Sequence, residues 1–275
     1  MQELEFEIKP QKKLSLGLKE LWSYRELFYF FAWRDIKVKY KQTFLGFLWA
    51  IFQPVLMTVL FTLGFGNMIS SQTNLEIPYP VFALSGFILW NIFSSGLSNS
   101  GNSMVSNANI IKKVYFPRLI IPVSSILVSL VDFAMAFIVF IPLAIYFNVS
   151  FDLSIIYLLP LSVFLALFST LGLGIFLAAL NVKYRDFRYI LPFLIQALLF
   201  VTPVIYPINI TGKGIFNLLF HLNPMFAPIE LFRAGFKGMP LDLNGVIISL
   251  VVSLILFLTG IIVFSKTESY FADLA

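Results

Sequence analysis

Residues able to do acid, base or metal chemistry are sparse in this chain. There is no cysteine and one histidine, His221, so thiolate sites and multi-histidine metal cages are excluded. The acids Glu76, Asp152, Glu230 and Asp242 stand alone in sequence, whereas acid–base or metal-assisted chemistry calls for close pairs or clusters. A phosphate-cradling G-x-x-x-x-G-K-S/T loop is missing: the single Gly-Lys pair is Gly212-Lys213, and Gly172-Leu173-Gly174 lies in an apolar run with no preceding strand. The chain is therefore expected to have no catalytic residues, to bind no metal or cofactor itself, and to hydrolyse no ATP alone. Asp132 is the one acid deep within an apolar run. An intramembrane carboxylate must face protein or water. No apolar span offers it a cation, so it is expected either to make a structural hydrogen bond through local groups such as Ser129 or to serve in transport.

The elements that must position these residues follow from composition. Of 275 residues, 59% are apolar and 12% charged, which excludes an ordinary soluble domain and implies an all-α integral membrane protein. Six apolar stretches predict six transmembrane helices: Phe44–Met68, Tyr79–Ser100, Val123–Phe147, Ser154–Leu180, Ile190–Tyr206 and Val246–Phe264. Residues 1–43 form a charged N-terminal segment with no secretory signal pattern, 44–264 the membrane domain, and 265–275 a tail. With the N-terminus inside, every Lys and Arg except Lys213, Arg233 and Lys237 falls on the cytoplasmic side, so both termini are expected there. The net charge of +5 suits a basic face against anionic lipid and gives no reason to expect nucleic acid. Prolines 54, 142, 160, 192 and 203 within the spans predict kinks. Thr170, Gly174 and Ala178 recur every four residues as a small-residue packing stripe.

Three segments outside the spans stand out. Trp22–Lys41 reads as an amphipathic interfacial helix, with Tyr29, Trp33, Ile36 and Tyr40 on one stripe, Arg34, Lys37 and Lys41 on another, and an i,i+4 Asp35–Lys39 pair. Its exposed face serves either to anchor the chain in the headgroup layer or also to dock a cytoplasmic protein. Asn102–Pro122, containing Asn109, Lys112, Lys113, Tyr115 and Arg118, is either a topology-setting basic loop or a lever moved by a bound motor. Pro207–Gly245 holds two short apolar stretches, Ile215–Leu222 and Phe226–Phe236, split by Asn223-Pro224. Neither can span, which suggests a re-entrant hairpin lining a cavity or an amphipathic pair at the outer interface. Within the spans, Phe52 beside Gln53, and Gln196 one turn before Phe200, combine an aromatic face with an amide, as a path for sugars requires.

The chain resembles the permease subunits of polysaccharide ABC exporters of the ABC-2 type, which move O-antigen, capsule or teichoic acid. The likeness runs nearly end to end. It rests on Trp33-Arg-Asp-Ile-Lys-Val-Lys-Tyr-Lys41, Leu45-Gly-Phe-Leu-Trp49, Gln53-Pro54, Lys112-Lys-Val-Tyr-Phe-Pro-Arg118 and Tyr184-Arg-Asp186. It continues through Leu191-Pro192, Thr202-Pro-Val-Ile-Tyr-Pro207, Asn223-Pro224 and Glu230-Leu-Phe-Arg233. The resemblance implies a homodimer in the bacterial inner membrane, bound to two cytoplasmic ABC ATPase subunits that carry ATP and Mg, with a lipid-linked polysaccharide passing between the permeases. It assigns ATPase coupling to Trp33, Arg34, Lys37, Lys41, Asn109, Lys112, Lys113, Tyr115 and Arg118. It makes Ile215–Phe236 an outer gate, with Phe216, Phe220, Phe232 and Phe236 as its aromatic candidates. The rival readings are an ABC-2 drug or lipid exporter, a membrane glycosyltransferase or ligase, and a passive channel.

Overall fold

The computed structural model describes residues 18–41, 46–73, 75–184, 186–207 and 215–268. Twelve helices follow one another among them. They are α1 (Leu18–Ser23), α2 (Arg25–Lys41), α3 (Leu48–Gln72), α4 (Tyr79–Ser106), α5 (Ala108–Ile111) and α6 (Ile120–Ile126). Then come α7 (Val128–Tyr146), α8 (Ile155–Lys183), α9 (Phe187–Val201), α10 (Ile215–His221), α11 (Phe226–Ala234) and α12 (Leu243–Thr267). The expected all-α class holds, and the β-type pairing seen among the described residues is an isolated bridge between Phe151 and Phe236. The chain is a multi-pass membrane protein: five helical stretches are long and apolar enough to cross a bilayer, namely α3, α4, α6–α7, α8 and α12.

The sixth expected crossing, Ile190–Tyr206, is shorter than its apolar run. Helix α9 stops at Val201, and its 15 residues reach about 22 Å at 1.5 Å per residue, short of a hydrocarbon core of about 30 Å. The cause is local. A residue before proline is pushed out of the helical region, and Thr202, preceding Pro203, is extended at φ −97°, ψ 136°. Pro54, Pro142, Pro160 and Pro192 are instead accommodated inside α3, α7, α8 and α9. Pro203 is therefore a terminator rather than a kink.

Helix α4 is the axis of the bundle. Its most apolar window is 78% buried, against 17% for α3 and 22% for α12, because α3, α6, α7, α8, α9 and α11 all pack on it. Helix α8 lies between α4 and α12, and small residues set both contacts. A Cβ on Gly96 of α4 would sit 2.6 Å from Thr170 Cγ2, and one on Gly174 would sit 2.8 Å from Ser100 Oγ. The Thr170–Gly174–Ala178 stripe thus packs as expected, with its first two members meshed against Gly96 and Ser100 at matching four-residue spacing. On the other side of α8, a Cβ on Gly172 would meet Phe257 N at 2.7 Å and Phe257 Cα at 2.9 Å, backbone atoms that cannot swing aside.

Gly172→Val should therefore force α8 from α12 and destabilise the chain by roughly 1–3 kcal/mol, seen as a lower thermal unfolding midpoint in detergent. Gly64→Ala, where a Cβ meets nothing within 4 Å, should leave that midpoint unchanged or raise it.

Candidate functional site in a polar cleft

Inside the bundle the main polar feature is a column on α4. Asn91, Ser94, Ser95, Ser98 and Asn99 recur at three- and four-residue spacing and so share one helix face. With Trp49, Ala50 and Gln53 of α3, Lys39 and Tyr40 of α2, Asp132 of α7, and Pro192 and Ile195 of α9, they line a half-open cleft of about 500 Å³. Side-chain amides and hydroxyls both donate and accept, and the indole of Trp49 offers an apolar plane beside them. That mixture matches a polyhydroxylated ring, whose hydroxyls need partners and whose C–H faces pack on aromatics.

Asp132 closes the floor of this cleft at 2% exposure. Its Oδ2 accepts from Lys39 Nζ at 2.6 Å and from Ser95 Oγ at 2.8 Å, and its Oδ1 accepts from the Tyr40 hydroxyl. One expectation is corrected here: the partner of Asp132 is not Ser129, whose hydroxyl bonds the Ile126 carbonyl. No span supplies a cation, as expected; α2 does. The expected Asp35–Lys39 pair is accordingly replaced: Lys39 turns to Asp132, and Asp35 is held by its neighbour Arg34 at 2.7 Å. A buried carboxylate attracts a cation more strongly than an exposed one does. Burial first, then the hydrogen bond and charge of Asp132, raise the Tyr40 phenol well above its ordinary range, so it remains a donor.

The expected sugar-path residues divide. Gln53 lines the cleft; Phe52 faces outward beside it with its ring against Trp49, and Gln196 and Phe200 lie exposed on α9. The α4 column went unnoticed in the sequence, although its signal is visible as Asn91, Ser94, Ser95, Ser98 and Asn99 within a span.

The residues expected to couple to an ATPase gather on one side. The predicted Trp22–Lys41 helix is broken at Tyr24 into α1 and α2, and α2 buries Phe31 and Ala32 while leaving Tyr29, Trp33 and Lys37 exposed. Phe31 packs on Phe116 of the following loop at 5.6 Å between ring centres. Lys37 lies over the Trp33 ring and Arg34 over Phe31, while Lys41 is exposed. Asn109, Lys112 and Lys113 are exposed, Tyr115 is 73% exposed, and Phe116 anchors the segment. Arg118 donates to the Glu268 carbonyl and so ties this loop to the end of α12.

At the opposite end, α10 and α11 form a hairpin packed on α4, α8 and α12. Its tip is satisfied by side chains: Asn223 donates to Thr202 Oγ1 and accepts from Met225 N, both at 2.8 Å. The Asn223 carbonyl accepts from Ser249 and the Pro224 carbonyl from Ser169. Of the expected gate residues, Phe232 and Phe236 are buried in a cluster with Phe137 and Phe140, and Phe220 packs on Tyr206. Phe216 belongs to α10, but its side chain lies outside the described residues. Arg233, 3% exposed, donates to the carbonyls of Phe82, Pro203 and Val204 and to Ser85, with its guanidinium over the Phe82 ring. Those carbonyls include ones freed where Pro203 ends α9. Burial lowers the Arg233 pKa to about 9, opposed by Glu230, so the group stays a cation at neutral pH. Burial likewise raises the Glu230 carboxyl. Among the described residues no cluster of His, Cys, Asp or Glu is arranged to hold a metal.

Arg233→Met should destabilise the chain by roughly 3 kcal/mol or more, since several buried carbonyls lose their donor. Gly86→Ala should act at the same place, because its Cβ would meet both Arg233 Nη2 and the Val204 carbonyl oxygen at 2.8 Å. Both are read by thermal unfolding. Glu230 has a second consequence. A carboxyl whose folded pKa is raised binds its proton more tightly in the folded state, so its contribution to stability falls as pH rises from the ordinary carboxylate range through the folded value. Glu230→Gln should flatten that part of the stability–pH curve.

Comparison with known proteins accords with this architecture. The sequence profile of the ABC-2 type transporter family matches residues 26–237. An O-antigen export system permease protein RfbA from Myxococcus xanthus is 29% identical over 262 residues, covering 93% of this chain and 98% of the relative. Its namesake in Klebsiella pneumoniae is 28% identical over 242 residues, 88% of this chain and 92% of the relative. The polysialic acid transport protein KpsM of Escherichia coli is 26% identical over 208 residues, covering 73% and 77%. With that profile spanning α2 through α11 and the end of the hairpin, the chain belongs to the ABC-2 type transporter family.

Proposed function

We propose that this chain is the membrane subunit of an ATP-driven exporter for lipid-linked polysaccharide, O-antigen being the cargo that the relatives' names favour. The observation that carries the reading is the polar cleft. A row of amides and hydroxyls beside Trp49 and Gln53, in a bundle otherwise facing hydrocarbon, is costly unless something polar passes there. A glycosyltransferase would need a metal-binding acid cluster, and no group of His, Cys, Asp or Glu arranged to hold a metal occurs among the described residues.

The protein sits in the bacterial cytoplasmic membrane with both termini inside, so the cleft opens on the cytoplasmic half, where α2, the starts of α3, α7 and α9, and the end of α4 converge. Helix α9, continued by Thr202–Tyr206, is the sixth crossing; α1–α2 lies in the headgroup layer with Trp22 and Tyr29 turned to lipid. Gln53 and Gln196 face out from α3 and α9, where lipid would leave their amides unpaired. A second copy closing on these helices supplies partners and roofs the cleft, giving a homodimer with the glycan path through Phe52, Gln53, Gln196 and Phe200. The α10–α11 pair is a re-entrant hairpin forming the outer gate, in which the Phe220, Phe232 and Phe236 side chains must repack for passage. Two ABC ATPase subunits, holding ATP and Mg, dock on the exposed face of α2 and on Asn109–Tyr115. This chain carries no phosphate loop of its own.

Inverted membrane vesicles containing the chain and its co-purifying ATPase should move lipid-linked glycan to the lumen only with hydrolysable ATP. Replacing Lys112–Tyr115 with a Gly-Ser linker should leave the chain folded while abolishing nucleotide-driven export. Export without nucleotide, or by the chain alone, contradicts the reading.

A further inference from the structure

Helix α2 precedes α3 in the chain but packs chiefly on α1, α6 and α7. At its last turn, Lys39 and Tyr40 reach Asp132 of α7, which also accepts from Ser95 of α4. Three helices therefore meet on one carboxylate that is almost wholly buried. Lys39 Nζ lies 3.4 Å from Ser95 Oγ as well, closing the group on itself. Parting Lys39 from Asp132 would strand an anion in the membrane interior, so the joint is strongly held closed. The same carboxylate floors the cleft, whose opposite side is built by Trp49, Ala50 and Gln53 of α3 and by Pro192 and Ile195 of α9.

We infer that Asp132 is a positioning residue: it fastens the end of α2 to the α4–α7 wall of the cleft, so that a force applied to α2 from the cytoplasm moves that wall against α3 and α9. The inference rests on the exporter reading for the source of the force, while the fastening itself is independent of it. The carboxylate does not bind cargo. Its charge is already matched by Lys39, which leaves the cleft floor neutral and suited to uncharged hydroxyls rather than to phosphate. The arrangement assigns the half-buried Tyr40 and Lys39, whose side chain stays 38% exposed, to this joint, while Trp33, Lys37 and Lys41 lie exposed elsewhere on the same helix.

The test compares wild type, Asp132→Asn, the exchange Lys39→Asp with Asp132→Lys, and Asp152→Asn as an exposed control. Each is purified with its ATPase, and thermal unfolding, ATP hydrolysis and glycan moved per ATP are measured. Asp132→Asn should keep ATP hydrolysis but lower glycan moved per ATP about ten-fold or more, and the charge exchange should recover a substantial part. Unchanged export per ATP in Asp132→Asn would overturn the inference. So would a fall in unfolding midpoint, hydrolysis and export together that the exchange does not rescue, since Asp132 would then merely hold the fold. Hydrogen exchange supplies a readout that needs no transport: Asp132→Asn should speed exchange along the last two turns of α2 while the middle of α4 stays protected. Equal protection of α2 in both proteins rejects the fastening. Absence of ATP-driven export in wild type would count against the exporter reading alone.

Discussion

A carboxylate cannot remain bare in the hydrocarbon interior, and much of this molecule follows from how Asp132 is balanced. Its cation comes from outside the bundle, on the last turn of α2, and its remaining donors come from α2 and α4. That requirement draws a surface helix against one end of the membrane domain and sets a neutral floor under the polar column of α4. Phe31 against Phe116, and Arg118 on the carbonyl of Glu268, extend the same attachment to the loop between α5 and α6 and to the end of α12. This end of the bundle is thus one connected surface.

The opposite end obeys the same rule with the opposite sign. Pro203 stops α9 early and frees carbonyls that lipid cannot satisfy, and Arg233 turns its donors toward them from α11. Backbone that is not helical is kept where protein side chains can reach it, as Ser169, Ser249 and Asn223 do at the hairpin tip. Between these two fixed ends, small residues let α8 approach α4 and α12 closely, so side-chain packing and not charge holds the middle. Helices α3 and α9 remain outside this tightly meshed core and supply the other wall of the cleft.

Much of this was legible in the sequence because bilayer thickness makes apolar run length informative. Five stretches and the broken pair α10–α11 followed from it, and the N-terminal helix from the spacing of its aromatic and basic residues. The end of α9 was missed because Thr202-Pro203 looks like a tolerated kink when only hydropathy is counted. The partners of Asp132 were missed for a different reason: Lys39 is 93 residues away in the chain, and helical periodicity assigned it to the nearest acid, Asp35. Long-range ion pairs leave no local trace. The α4 column did leave one, as Asn and Ser at helical spacing, but hydroxyls and amides within a span read first as helix-packing residues. Gln53 was identified from its neighbour Phe52, yet Trp49, one turn earlier, is the aromatic that shares the cleft with it.

The most direct test of the account is whether cargo passes through the cleft. A photoreactive residue placed at Gln53 or at Asn99 in the intact exporter should become covalently joined to glycan while ATP is being hydrolysed, and the same residue at Leu63, 80% exposed on the outward face of α3, should capture lipid only. Glycan captured at Leu63 but at neither cleft position, in a complex that still exports, would place the path elsewhere and contradict the account.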